Sequence, residues 1–170
     1  VITFQEGANV VDAIYTGTVD NEIDELQPNS NEGTEEDATG DGGTFDKQAL
    51  IRFDNIFGSG ANQIEYGSTI NSATLTFNVP NSTVANGPSE NITMHAMLVS
   101  WDESTTWNDF ISVTDGNGTA GVQTDGQDAA IAADSSLSNP KFGPGSKDFS
   151  GLEATLQSWS DGDTNYGWVL

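Results

Sequence analysis

Alternation of apolar and polar side chains is the strongest regularity in the chain, and it has the period of two expected of a half-buried strand. In SATLTFNV, Ala73, Leu75, Phe77 and Val79 alternate with Ser72, Thr74, Thr76 and Asn78. In ALIRF, Ala49, Ile51 and Phe53 fall on one face, and Leu50, Arg52 and the following Asp54 on the other. NITMHAMLVSW is apolar on both faces, with Ile92, Met94, Ala96 and Leu98 opposite Met97, Val99 and Trp101, which predicts a strand in the middle of a sheet. The closing YGWVL, with Tyr166, Trp168 and Leu170 on one side, predicts another short strand. One segment has helical spacing instead: Leu152, Leu156 and Trp159 in LEATLQSW stand at i, i+4 and i+7, so a short helix is expected over 152–159.

Clusters of Gly, Asn, Asp and Ser punctuate these segments, among them GDGG (Gly40 to Gly43), GSGAN (Gly58 to Asn62) and DGNG (Asp115 to Gly118). Many short strands separated in this way predict an all-β protein, an antiparallel sandwich or jelly roll with the helix plugging one end. Residues 111–140 are poor in large apolar side chains and are expected to form a long surface loop. A length of 170 residues suits one domain, able to bury a core without staples. No cysteine is present, so disulfides and thiolate metal sites are excluded. No apolar run approaches the roughly 20 residues of a membrane span, and no leader precedes Val1, which reads as the start of a processed or excised piece.

Charge narrows the partners. With 26 acidic residues against 4 basic ones, the net charge of -22 repels nucleic acid and anionic membranes. The acids either form a solvated surface or hold an oxygen-ligated cation, which favours calcium. The candidate ligands are Asp20 and Asp24 of DNEIDE, Glu36, Asp37 and Asp41 of EGTEEDATGDGG, and Asp161 and Asp163 of DGDTN. The last has the alternating ligands of a calcium loop without the rest of an EF-hand, since Tyr166 stands where its glycine belongs. Catalysis is not expected. The single histidine, His95, lies in an apolar strand without a triad pattern, as either a packed residue or a ligand contact. A carboxylate pair for glycoside hydrolysis carries no weight among 26 acids, where some pair always has the spacing.

Aromatic side chains are the usual sugar platforms. Trp101 and Trp107 in SWDESTTWN read as core or corner residues, and Trp159 lies on the apolar stripe of the helix, which leaves Trp168, flanked by Tyr166, as the one open to exposure. Several stretches occur in a distinctive order: DNEIDELQPNSNEG, whose turn P-N-x-N-x-G is carried by Pro28, Asn29, Asn31 and Gly33, then ALIRFD, GSTINS with ATLTFNV, SWDESTTWN, and LQSWSDGDTNYGWVL. In this the chain resembles the DNRLRE-type domain, related to the alginate-binding carbohydrate-binding module family 96.

The resemblance implies a jelly-roll β-sandwich, appended to secreted polysaccharide-degrading enzymes or repeated in large extracellular proteins, that binds glycan and does no chemistry. On this basis residues 1–170 are expected to be one secreted polysaccharide-binding module, and the clustered acids add the expectation of calcium. Members of the family often continue past the NYGW strand, so a final strand is expected to be missing or supplied by a neighbour, leaving a C-terminal sheet edge for strand addition. A structural or adhesive subunit assembling by strand exchange is the alternative. Arg52 either pairs with a carboxylate or meets a uronic acid polymer, with Lys47 assisting. The further candidate ligand contacts are His95, Tyr166 and Trp168. A charge of -22 makes an awkward host for a polyanion, which keeps neutral glycans open. A binding module further predicts a concave or loop-edge site with a few polar groups and an accessible aromatic.

Overall fold

The computed structural model describes residues 1–30, 40–41, 46–79, 91–111, 119–138 and 144–170. Among them the chain is mostly β, with antiparallel sheets and one short α-helix. The strands are β1 (Asn9–Val10), β2 (Ala13–Ile14), β3 (Thr18–Asp24), β4 (Gly40–Asp41), β5 (Asp46–Phe53), β6 (Thr74–Val79), β7 (Ile92–Ala96), β8 (Ser135–Leu137), β9 (Gly145–Ser150) and β10 (Trp168–Val169). The helix α1 (Glu153–Ser160) follows β9, one residue later than the sequence spacing predicts, and Trp107–Ile111 make a short 3-10 turn. No helix among the described residues is long and apolar enough to cross a membrane.

The main sheet runs β3-β5-β10-β7-β8, with β4 also paired to β5, while β6 and β9 form a separate pair and β1 and β2 a small hairpin. Because successive side chains of a strand point to opposite faces, this sheet feeds two cores. Ile51, Trp168, Ile92 and Met94 enter the first, where they meet Leu75 of β6, Phe149 of β9, Leu152 and Trp159 of the helical segment, and Val10 and Tyr15 of the N-terminal hairpin. Their neighbours Leu50 and Val169 enter the second, with Ile23 of β3, and are covered by Met97, Trp101, Trp107, Phe110, Val122 and Ala129. Both sheet faces are therefore dry where the strands are apolar on both sides.

Two expectations are corrected. The C-terminal strand is not at an edge: Trp168 pairs with Ile51 on one side and Ala96 on the other. Its two residues are buried on opposite faces, because a core covers each side of the sheet here. The 111–140 stretch is not simply surface loop, because Val122 and Ala129 are buried in the second core and Ser135–Leu137 pairs with β7. Its few apolar residues are small but well placed. Leu98, grouped by alternation with the face of Met94, is exposed, since β7 ends at Ala96. Residues 115–118 of the DGNG turn, and Gly42 and Gly43, lie outside the described residues.

Insertion of β10 depends on Gly167, whose φ of 74° is left-handed. Its carbonyl accepts from the Met97 amide at 2.9 Å while its Cα faces β5, where a side chain would run into the Ile51 carbonyl oxygen and the Arg52 backbone. Gly167→Ala is therefore expected to destabilise the fold by more than about 4 kcal/mol, combining backbone strain with a clash that cannot relax into a side chain. A urea titration followed by tryptophan fluorescence checks it; an unchanged midpoint contradicts the close approach.

Candidate functional site

Arg52 lies on the second-core face of β5, as alternation predicts, and is consumed there. Its Nε donates to Asp54 Oδ1 at 2.6 Å and Nη2 to Asp54 Oδ2 at 3.2 Å, a fork on a carboxylate two residues along the same face. Nη1 donates to the Trp101 carbonyl at 2.8 Å, and the guanidinium lies 5.0 Å from the centre of the Trp101 ring. Lys47 is held in the same way, between Glu22 and the Asp24 carboxylate at 3.1 Å, and these partners raise its pKa, the Glu22 hydrogen bond most of all. Both predicted cationic contacts are thus internal ion pairs.

The remaining candidates are also scattered. His95 Nδ1 faces the Ala130 carbonyl at 2.8 Å. Trp168 is 3% exposed, its Nε1 donating to Asp134 at 2.7 Å, so its ring offers no face to a sugar. Tyr166 is half-buried against the second core, and its carbonyl accepts the Trp101 Nε1 proton at 2.7 Å. Asp20 and Asp24 share a face of β3 but, four residues apart on a strand, are separated by about 13 Å. Asp24 also accepts from the Leu26 amide at 2.7 Å. Asp161 accepts from Gln157 at 2.9 Å and Asp163 from the Ser158 hydroxyl, both at the end of α1. Glu36 and Asp37 lie outside the described residues, and Asp41 is placed as a backbone position paired with Asp46. Among the described residues no three acidic or imidazole groups gather as a metal centre.

The structure instead forms two adjoining clefts that the sequence patterns do not mark. One, of about 320 Å³, is lined by Asn55, Tyr66, Gly162, Asp163, Thr164 and Asn165, with buried Phe57, Ile56 and Trp159 beneath. The other, of about 330 Å³, is lined by Ile14 to Gly17, Asp54, Asn55, Asn62 and Gln63. Asn55 belongs to both. Its φ of 58° is left-handed, a conformation that asparagine tolerates better than most residues. The loop around it is tied by Gln63, which donates to the carbonyls of Asn55 at 2.9 Å and Phe57 at 3.2 Å and accepts from the Gly60 amide at 2.8 Å.

Tyr66 is 63% exposed, and one side of its ring is backed by the protein. It stacks on Phe57 at 6.3 Å between centroids and 27° between planes. The segment after it is clamped to α1: the Gly67 amide donates to the Ser160 carbonyl at 2.7 Å, Gln157 accepts from the Ile70 amide at 2.9 Å, and Glu153 accepts from the Ala73 amide at 3.1 Å. On the far wall, Asn165 donates to the Phe53 carbonyl at 2.8 Å and accepts from the Gly167 amide at 2.9 Å, which holds the cleft against the start of β10. The only hint of Tyr66 in the sequence is an aromatic ring set in a turn, EYGS, where no core periodicity claims it.

No protein-family model matches the chain, and neither the curated proteins nor the solved structures compared with it give a match.

Two tests follow from the charges. Arg52→Ala is expected to lower stability by about 2 kcal/mol, less than for a fully buried pair because Asp54 keeps access to water. Arg52→Lys is expected to recover less than half of that, since an ammonium makes neither the fork nor the stack. Equal midpoints for the two variants in urea would contradict the geometry. The second concerns Tyr15, whose hydroxyl donates to the Asp54 carbonyl at 2.7 Å and whose pKa is pushed well above the ordinary 10.0, first by burial and then by the carboxylates of Asp54 and Glu6. A phenol with a raised folded pKa stabilises below its unfolded pKa and loses that contribution as pH climbs past it. Lys47 acts in the same direction above its ordinary 10.5. Melting temperature should therefore fall as pH rises above about 10, and Tyr15→Phe should make that fall shallower.

Proposed function

We propose that the chain is a non-catalytic module that binds polysaccharide outside the cell, on a β-sandwich of the jelly-roll kind, with the Tyr66 cleft as its site. The observation that carries this reading is the Tyr66 ring, exposed yet braced by Phe57 and set beside uncommitted polar groups. An aromatic face covers the C–H face of a pyranose while amides and hydroxyls take its hydroxyl groups, so a ring already fixed in place binds with little loss of entropy.

The acids beside the cleft support a binding role over a catalytic one. Asp54 is gripped by Arg52 and Asp163 accepts from Ser158, so both carboxylates are engaged in holding local structure. A strand-exchange subunit finds less support. It needs an open C-terminal edge, whereas β10 is paired on both sides, by β5 and β7.

Affinity electrophoresis through gels containing individual polysaccharides tests the reading. At least one neutral or acidic polysaccharide should retard the protein, and Tyr66→Ala should weaken that binding roughly tenfold, about 1.4 kcal/mol, with an unchanged melting temperature. Retardation that Tyr66→Ala leaves intact would remove the cleft from the function. Free migration in every gel would remove polysaccharide binding itself.

A further inference from the structure

We infer that the ligand is a neutral glycan segment lying across both clefts over Asn55, and that polyuronates are rejected. The inference rests on the proposed binding role and adds the substrate class and the path of the chain.

The charge argument starts from the cations. The sequence has four lysines and arginines, of which Lys141 lies outside the described residues. Lys47 is held by Glu22 and Asp24, and Arg52 by Asp54 and Trp101. Lys147 is on β9 opposite Phe77, in the separate sheet. None of these three lines either cleft, whereas Asp54 and Asp163 do. A polyuronate laid along this path would bring its carboxylates toward Asp163, held by a serine hydroxyl, and Asp54, which already occupies the Arg52 guanidinium, so among the described residues no cation is left in either cleft to receive them, on a chain of net charge -22. Like charges brought together at an interface act as a rejection device.

The polar groups that remain suit hydroxyls. Gln63 and Asn165 are occupied with backbone partners, but the side chains of Asn55, Asn62, Thr16 and Thr164 line the clefts without a hydrogen bond among the described residues. Amides and hydroxyls both donate and accept, as sugar hydroxyls do. Each cleft alone is at the small end of ligand sites. Asn55 lines both, so an extended oligosaccharide reaches the second cleft from the first by crossing a single residue.

The left-handed backbone of Asn55 supplies a clean test, because Asn55→Gly keeps that conformation and deletes only the side chain. Wild type, Asn55→Gly and Tyr66→Ala are run in gels of galactomannan, xyloglucan and β-1,3-glucan as neutral probes, and of polymannuronate and polygalacturonate as acidic ones, at 0.15 M and 1 M sodium chloride. A neutral probe should retard the wild type equally at both salt concentrations, the acidic probes should leave it free at 0.15 M, and Asn55→Gly should weaken neutral binding at least tenfold with its melting temperature preserved. Retardation by an acidic probe that Tyr66→Ala abolishes would overturn the inference while the glycan-binding role stands. Neutral binding indifferent to Asn55→Gly would overturn the path across the two clefts. Free migration with every probe would overturn this inference together with the reading beneath it.

Discussion

The structure turns on the insertion of its last strand into the middle of a sheet. Two residues, Trp168 and Val169, join β5 to β7 and place one side chain in each core. The partners are far apart in sequence, so these contacts require long loops to close, which makes the step entropically demanding. It also completes the clefts. Asp163, Thr164 and Asn165 form one wall and precede β10 directly, while Asn55 and Tyr66 of the other wall follow β5. Docking of the strand and assembly of the site are therefore one event.

The same region shows why conspicuous motifs need not be functional. Trp101 receives a hydrogen bond from Arg52 at its carbonyl and donates one from its indole to Tyr166. A few residues on, the Thr105 carbonyl accepts from Asn21 of β3 at 2.7 Å, and the Asn108 amide donates to the Pro28 carbonyl at 3.0 Å. DNEID, the P-N turn, ALIRF, SWDESTTWN and NYG thus meet at one corner that fastens the second core to the sheet. Their residue types answer a packing problem: buried carbonyls at irregular backbone need side-chain donors, and Asn, Arg and Trp provide them.

Local alternation made the strands legible and left their order hidden. The faces of β5 and β6 and the position of α1 follow from side-chain spacing over a few residues, so they could be read directly. Arg52 and Asp54 stand at i and i+2, on one face, and their pairing was within reach of the same rule. The place of β10 depends on which distant strands accept it, and no local pattern encodes that. Trp168 is open to exposure when only its own short strand is considered, whereas the adjacent Val169 is also apolar and both are buried. The site was harder still. Asn55, Asn62, Tyr66 and Thr164 lie in turns, where no periodicity applies and only tertiary structure brings them together.

Charge and rigidity then act on the same surface. Two of the described cations, Lys47 and Arg52, are drawn into the sheet as partners of carboxylates, and neither lines the clefts. In the proposed reading, electrostatic attraction is then not the means of capture, and recognition rests on shape, stacking and hydroxyl hydrogen bonds. Such contacts are individually weak, and they are effective only if the groups are held before the ligand arrives. Phe57 beneath Tyr66, Gln63 behind Asn55, and the α1 side chains gripping residues 68 to 73 meet that requirement with hydrogen bonds and a ring contact internal to the fold. The cleft is ordered by the protein's own packing, and a ligand that brings no charge has only contact and solvation terms to satisfy.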